Sequence, residues 1–130
     1  MIIDSSALVA ILRLEPEALP YLQAMKTADA RRLSAGNYLG VSIVIDKNHN
    51  PVLSRELDEL IRDANITIEP VTEEQVRIAR DAYRDFGKGS GHAAGLNFGD
   101  CFAYALARAM REPLLYKGDD FSETDVMPAV

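Results

Sequence analysis

Apolar positions along the chain fall into short blocks broken by a few polar residues, and the spacing inside each block predicts an element. Met1-Ile2-Ile3 is an apolar run that stops at Asp4. Apolar positions at Leu8 and Leu12, with Val9 and Ile11 between them, follow with no linker. This reads as a buried strand running straight into a short helix that ends before Glu15-Pro16. Ser5 or Ser6 is suited to cap that helix, unless Asp4 itself does so. Pro16 fits the first turn of a second helix with Leu19, Leu22 and Met25 as its apolar stripe, and the polar stretch 26–32 is a connector.

Arg32-Leu33-Ser34 predicts a strand, and from Asn37 the set Tyr38, Val41 and Ile45 predicts a buried helix. Asn48 to Pro51 is loop chemistry. From Ser54, the positions Leu57, Leu60, Ile61 and Ala64 describe an amphipathic helix. Ile66-Thr67-Ile68 alternates as a strand does and stops at Pro70. Thr72 with Gln75 has capping-box spacing and opens a helix through Val76, Ala79, Tyr83 and Phe86. A glycine-rich loop, Gly87 to Gly95, leads to Asp100 at the head of a helix so apolar that it must be buried nearly all round. A last strand, Leu114-Leu115-Tyr116, passes through Lys117-Gly118-Asp119-Asp120-Phe121 into a polar tail. Short strands alternating with helices make an α/β layered domain with a mainly parallel sheet.

The chain's 130 residues, 48% of them hydrophobic, suffice for one domain over residues 1–130 with a core of its own. The lone Cys101 excludes an internal disulfide, and the apolar runs are too short and too often broken by charge to span a bilayer. These features place the protein in the cytoplasm. A net charge of −6 argues against a general nucleic-acid coat, because such affinity comes from Lys and Arg neutralising phosphates. It leaves a nuclease open, since a bound cation reverses the field of the carboxylates that hold it.

Three carboxylate sites share one context, the point where an apolar element meets a turn. Asp4 follows the first strand, Asp119 and Asp120 follow the last, and Asp100 heads the buried helix. In a parallel sheet the first two lie on one rim, where ligands gather in open α/β folds. Carboxylates about 4 Å apart repel by on the order of 4 kcal/mol per pair at an effective dielectric near 20. A cation relieves that repulsion, and an all-oxygen set favours Mg2+ or Mn2+ over zinc. Metal-assisted phosphodiester hydrolysis fits such a centre. Taken singly, each acid has a plainer explanation as a helix cap or turn residue.

The glycine loop fits no phosphate-binding register and reads as a mobile loop beside the site, from which Lys88 and His92 could contact an RNA backbone. Arg80 and Arg84, four apart on one helix face, could form a basic rim with Lys117, or simply a solvated face. His49 and His92 are assigned to the surface. Cys101 reads as a buried inert thiol, and Phe98, Phe102 and Tyr104 as core, with stacking on RNA bases as the alternative.

Four stretches carry a resemblance: Met1 to Leu8 (MIIDSSAL), Tyr83 to Gly89 (YRDFGKG), Gly95 to Phe102 (GLNFGDCF), and Leu114 to Phe121 (LLYKGDDF) with Thr124-Asp125. In order and over nearly the whole chain they resemble the PIN-domain toxins called VapC. The resemblance implies a three-layer α/β/α sandwich and a Mg2+- or Mn2+-dependent endoribonuclease acting on structured RNA such as tRNA or a ribosomal RNA loop. It also implies a homodimer and a cognate antitoxin of the VapB kind. Carried over by position, Asp4 and Asp100 hold the metal, Asp120 is the third acid, and Asp119 or Asp125 assist. Leu8, Leu12 and the stripe from Leu19 to Met25 exceed what a small sheet needs on one side and would supply a groove for an antitoxin helix or a dimer contact, unless each is ordinary core packing.

One departure bears on activity. The family places a glutamate in the helix after the second strand, in a context like Ser34 to Leu39, and this chain has Gly40 there. Asp46 lies too far round the helix to replace it. The expectation is a weakened or disarmed nuclease, with an RNA- or antitoxin-binding module on the same fold as the alternative. A phospho-receiver domain fails, because two serines follow Asp4 where such a domain has an acidic pair.

Overall fold

The computed structural model describes all 130 residues, Met1–Val130. Ten elements alternate along it: β1 (Ile2–Ile3), α1 (Ser5–Leu12), α2 (Ala18–Thr27), β2 (Arg31–Ser34), α3 (Ala35–Asp46), α4 (Pro51–Asp63), β3 (Ile66–Glu69), α5 (Glu73–Phe86), α6 (Phe98–Met110) and β4 (Leu114–Leu115). The four strands form one sheet in the order β3-β2-β1-β4, and every pairing is parallel.

The layering follows from side-chain alternation along β1 and β4. Successive strand residues face opposite sides of a sheet, and Ile2 pairs in register with Leu114 while Ile3 pairs with Leu115. Ile3, Leu33, Ile66 and Leu115 pack with Leu8, Met25, Val41, Ile45 and Leu57 from α1 to α4. Ile2 and Leu114 pack on the other side with Leu96, Tyr104, Leu106 and Phe121 beneath α5 and α6. Two cores separated by a parallel sheet make the three-layer α/β/α sandwich, in which helices on both faces keep the sheet from water.

Several local expectations need correction. At α1 the structure decides between the two readings left open: Asp4 caps the helix, its carboxylate accepting from Ser6 N at 3.0 Å, and Ser5 and Ser6 lie inside it. Helix α2 starts at Ala18, two residues after Pro16, and buries Ala18, Tyr21 and Met25. The predicted stripe is therefore split: Met25 is buried, while Leu19 at 71% and Leu22 at 37% exposure face outward, and Leu8, expected beside them on a partner face, is fully buried in the core. Asn50-Pro51 is a helix start: Asn50 Oδ1 accepts from the amides of Val52 and Leu53, and Pro51 takes the first turn, where its missing N–H is harmless. Helix α3 begins directly off β2, with Ser34 as its cap. On α5 the buried positions are Gln75 and Ala82. Thr72 accepts from Gln75 N, but the Gln75 amide turns to Pro70 O, so the capping box is half made. Phe98, expected in the core, stands 79% exposed with its ring against Phe102 at 4.9 Å.

Candidate active site

Parallel strands end on one rim, and here the chain leaves β1 and β2 directly into helices, so the N-termini of α1 and α3 lie on that rim together. Helix α6 joins them through Asn37 on the first turn of α3, whose Nδ2 donates to Gly99 O at 2.9 Å. Across the other gap, Ser5 Oγ donates to Asn37 O at 3.1 Å. Three helix starts therefore converge, each with its positive dipole end directed at the same place.

Asp4 sits at their centre. Its amide donates to Leu115 O at 2.9 Å, which fixes the end of β1 against the end of β4. Its Oδ2 accepts from Ser6 N at 3.0 Å and Ser6 Oγ at 2.6 Å. Ser6 Oγ in turn accepts from Lys117 N at 3.0 Å, tying the loop after β4 to the acid. Only 4% of Asp4 is exposed. Burial raises its proton affinity above the ordinary carboxylate value; the Ser6 and Ser5 donors oppose this, and the nearby charge of Asp120 adds to it.

Asp100 lies in the first turn of α6 as the third residue of a complete capping box. Its amide donates to Asn97 Oδ1 at 2.9 Å, and its Oδ2 accepts from Asn97 N at 3.0 Å. It is buried, and its carboxyl is pushed up to about 7, first by burial and then, against the Asn97 amide, by the neighbouring carboxylates of Asp120 and Asp4. The structure thus brings Asp4, Asp100 and Asp120 within mutual electrostatic reach, with Asp120 itself exposed. No three His, Cys, Asp or Glu side chains gather closely enough to hold an ion among themselves.

The other predicted residues divide. The Asp119 carbonyl closes a turn with Ser122, and its side chain is exposed. Asp125 faces elsewhere, accepting from Tyr104 OH at 2.6 Å and lying 3.7 Å from Arg108. Lys117 is not a free cation, since its Nζ pairs with Glu15 and, at 3.2 Å, with Glu17. Arg84 likewise pairs with Asp81 and Asp85 on its own helix. Arg80 and Lys88 are exposed and form no ion pair, and Arg80 borders an apolar groove of about 430 Å3 between α5 and α6 that includes Val76, Tyr83, Phe98 and Phe102. Cys101 is buried and its thiol is pushed up to about 11 by burial, as an inert thiol should be. His49 and His92 are exposed.

Gly40 is exposed on α3, one turn after Asn37. A Cβ at this position would meet nothing nearer than Ser5 Oγ at 3.9 Å. Space for a side chain therefore exists beside the residue that follows Asp4. Sequence reasoning missed Asn37 and Ser6. An amide three residues before Gly40 on the inward face of an apolar helix was the available signal for the first, and a hydroxyl two residues after Asp4 for the second.

Residues 1–127 match the family model described as PIN domain. The chain is 59% identical over 130 residues to ribonuclease VapC28 of Mycobacterium tuberculosis, covering 100% of this chain and 98% of that protein. It is 45% identical over 129 residues to ribonuclease VapC42 of the same species, covering 99% of this chain and 98% of the relative. Among solved structures, M. tuberculosis VapC20, a sarcin–ricin loop cleaving toxin, superposes with a TM-score of 0.74 at 12% identity, over 97% of this chain and 95% of that one. A chain of a toxin–antitoxin complex from Klebsiella pneumoniae superposes with a TM-score of 0.71 at 16% identity, over 93% and 89%. On the family match and these full-length relatives, the chain belongs to the VapC family of PIN-domain ribonucleases.

Proposed function

We propose that this protein is the toxin of a type II toxin–antitoxin pair and an endoribonuclease that hydrolyses RNA at a Mg2+ or Mn2+ ion held by Asp4 and Asp100, with Asp120 as the third acid. One observation carries this reading: two carboxylates from separate elements are buried side by side with their proton affinities raised, and no Lys or Arg neutralises either. Such a pair suits a hard cation. Mg2+ and ions like it keep several of their waters and are held by one or two carboxylates.

When bound, the cation supplies charge stabilisation at the phosphate and a more acidic water. The chain's own residues do the rest. Ser6 holds Asp4 through two hydrogen bonds, and the Asn97 amide holds Asp100. Asp120, exposed at the same rim, accepts the proton of the attacking water as its oxygen bonds to phosphorus. The bridging phosphorus–oxygen bond then breaks, and the departing oxygen is protonated from solvent. Arg80 of the predicted rim and Lys88 of the glycine loop, the predicted RNA-contacting cations without ion pairs, meet the RNA backbone.

Cleavage of structured RNA, tRNA or ribosomal RNA, in Mg2+ and after chelation tests this directly, with Asp4→Ala as control. Loss of activity on chelation and in Asp4→Ala is expected; chelator-resistant cleavage overturns the reading. Gly40 favours a second reading, an RNA- or antitoxin-binding module with little turnover, because glycine supplies no ligand where the space for one exists. Exposed Leu14, Leu19, Leu39 and Ile43 suit burial by a VapB-type antitoxin or a second copy in a homodimer. Mass measurement by light scattering, alone and after co-expression with the antitoxin, separates the two.

A further inference from the structure

Asn37 is 2% exposed, and its side-chain oxygen has no hydrogen-bond partner. Its other polar atoms are engaged where they join the acids' neighbours, Nδ2 to Gly99 O next to Asp100, and the carbonyl to Ser5 Oγ next to Asp4. A buried amide oxygen without a donor is unfavourable, and in most proteins a water or a ligand satisfies it. One turn further along the same face, Gly40 leaves open the space in front of Ser5. Asn37, with an oxygen acceptor that has no donor, thus bridges the chain neighbours of both buried carboxylates, and an open position lies one turn away.

We propose that Asn37 Oδ1 is a positioning group for the cation's hydration shell, accepting a hydrogen bond from one of its waters on the α3 side, where Gly40 contributes nothing. The assignment rests on the reading of Asp4 and Asp100 as the cation's ligands. It gives Asn37 two roles: the Nδ2 bond sets the start of α6, and Oδ1 orients water. The amide suits both, since a carboxylate could not donate to Gly99 and an aliphatic residue could do neither.

Mn2+ affinity measured by electron paramagnetic resonance, without RNA, tests the proposal. Asn37→Asp places a charge one water away from the ion and should tighten Mn2+ binding about ten-fold. Asn37→Ala should weaken it. A purely architectural Asn37 predicts weaker binding in both variants, because both lose the bond to Gly99, and that result overturns the proposal, as does unchanged affinity in both. Should Asn37→Asp not fold, the parent protein labelled with 13C-asparagine decides: electron–nuclear double resonance should show a 13C coupling to Mn2+ that disappears in Asn37→Ala. A spectrum identical in the two proteins overturns it. Asp100→Asn separates the two levels. If it abolishes Mn2+ binding while the Asn37 tests fail, this inference alone falls; if it leaves binding intact, the cation reading falls as well.

Discussion

Replacing Asp100 by asparagine should stabilise the metal-free protein while removing its activity, and the size of the effect follows from the site. A carboxyl held at about 7 in place of 3.8 corresponds to ~4 kcal/mol favouring its protonated form, at about 1.4 kcal/mol per pH unit. The rim is open to water, so screening reduces this to roughly half, ~2 kcal/mol. The sign follows from linkage. A raised carboxyl contributes stability that is fully present below 3.8 and is lost as pH climbs through about 7. Asparagine does not titrate, and its Oδ1 can still accept from the Asn97 amide that Asp100 now engages. In a chelator, Asp100→Asn should therefore melt about 6 °C above the parent at pH 8, taking about 3 °C per kcal/mol for a domain of this size. At pH 4 the gap should close. Adding Mg2+ at pH 8 should raise the parent's melting temperature and leave the variant's unchanged, because binding to the folded state alone is stabilising. A variant less stable than the parent at pH 8, or a gap equal at both pH values, would refute the reasoning.

Gly40→Glu should raise the RNA cleavage rate by at least about ten-fold, the range seen when a group orienting a metal site is lost or gained. Gly40→Ala should share only its gain in stability, up to ~1 kcal/mol from removing a helix-interior glycine, and equal cleavage rates in the two variants would rule out a vacancy at residue 40. Gly36→Ala should lose ~1–3 kcal/mol in urea unfolding, since its Cβ would stand 2.7 Å from the Phe102 ring; a loss near zero would mean that the ring moves freely. Ser6→Ala should lose ~1–3 kcal/mol by stranding the Lys117 amide and the Asp4 carboxylate that the hydroxyl joins. Calorimetry showing no change would remove Ser6 from the account.

The fold's layering was legible because buried strands and amphipathic helices carry different periods, and Asp4 because an acid placed between the two with no linker is hard to place otherwise. Asp4 proved to be both a helix cap and a buried acid, two readings that a sequence presents as alternatives. What stayed hidden depends on partners distant in the chain. Lys117 looks like a free cation until the fold brings Glu15 and Glu17 beside it. The stripe on α2 was misread because Leu19 and Leu22 share helical spacing with Met25, while the sheet lies beneath Ala18, Tyr21 and Met25. Phe98 looked like core because it precedes an apolar helix, yet it begins the turn that presents Asp100 and projects outward. Asn37 was invisible because one amide in an apolar helix carries no pattern until Gly99 and Ser5 are seen on either side of it.

The most direct test of the central claim is anomalous diffraction from crystals soaked in Mn2+. A peak between the carboxylates of Asp4 and Asp100, absent in crystals of Asp100→Asn, is the predicted result. Manganese bound only elsewhere on the surface, with these two acids left unliganded, would contradict it.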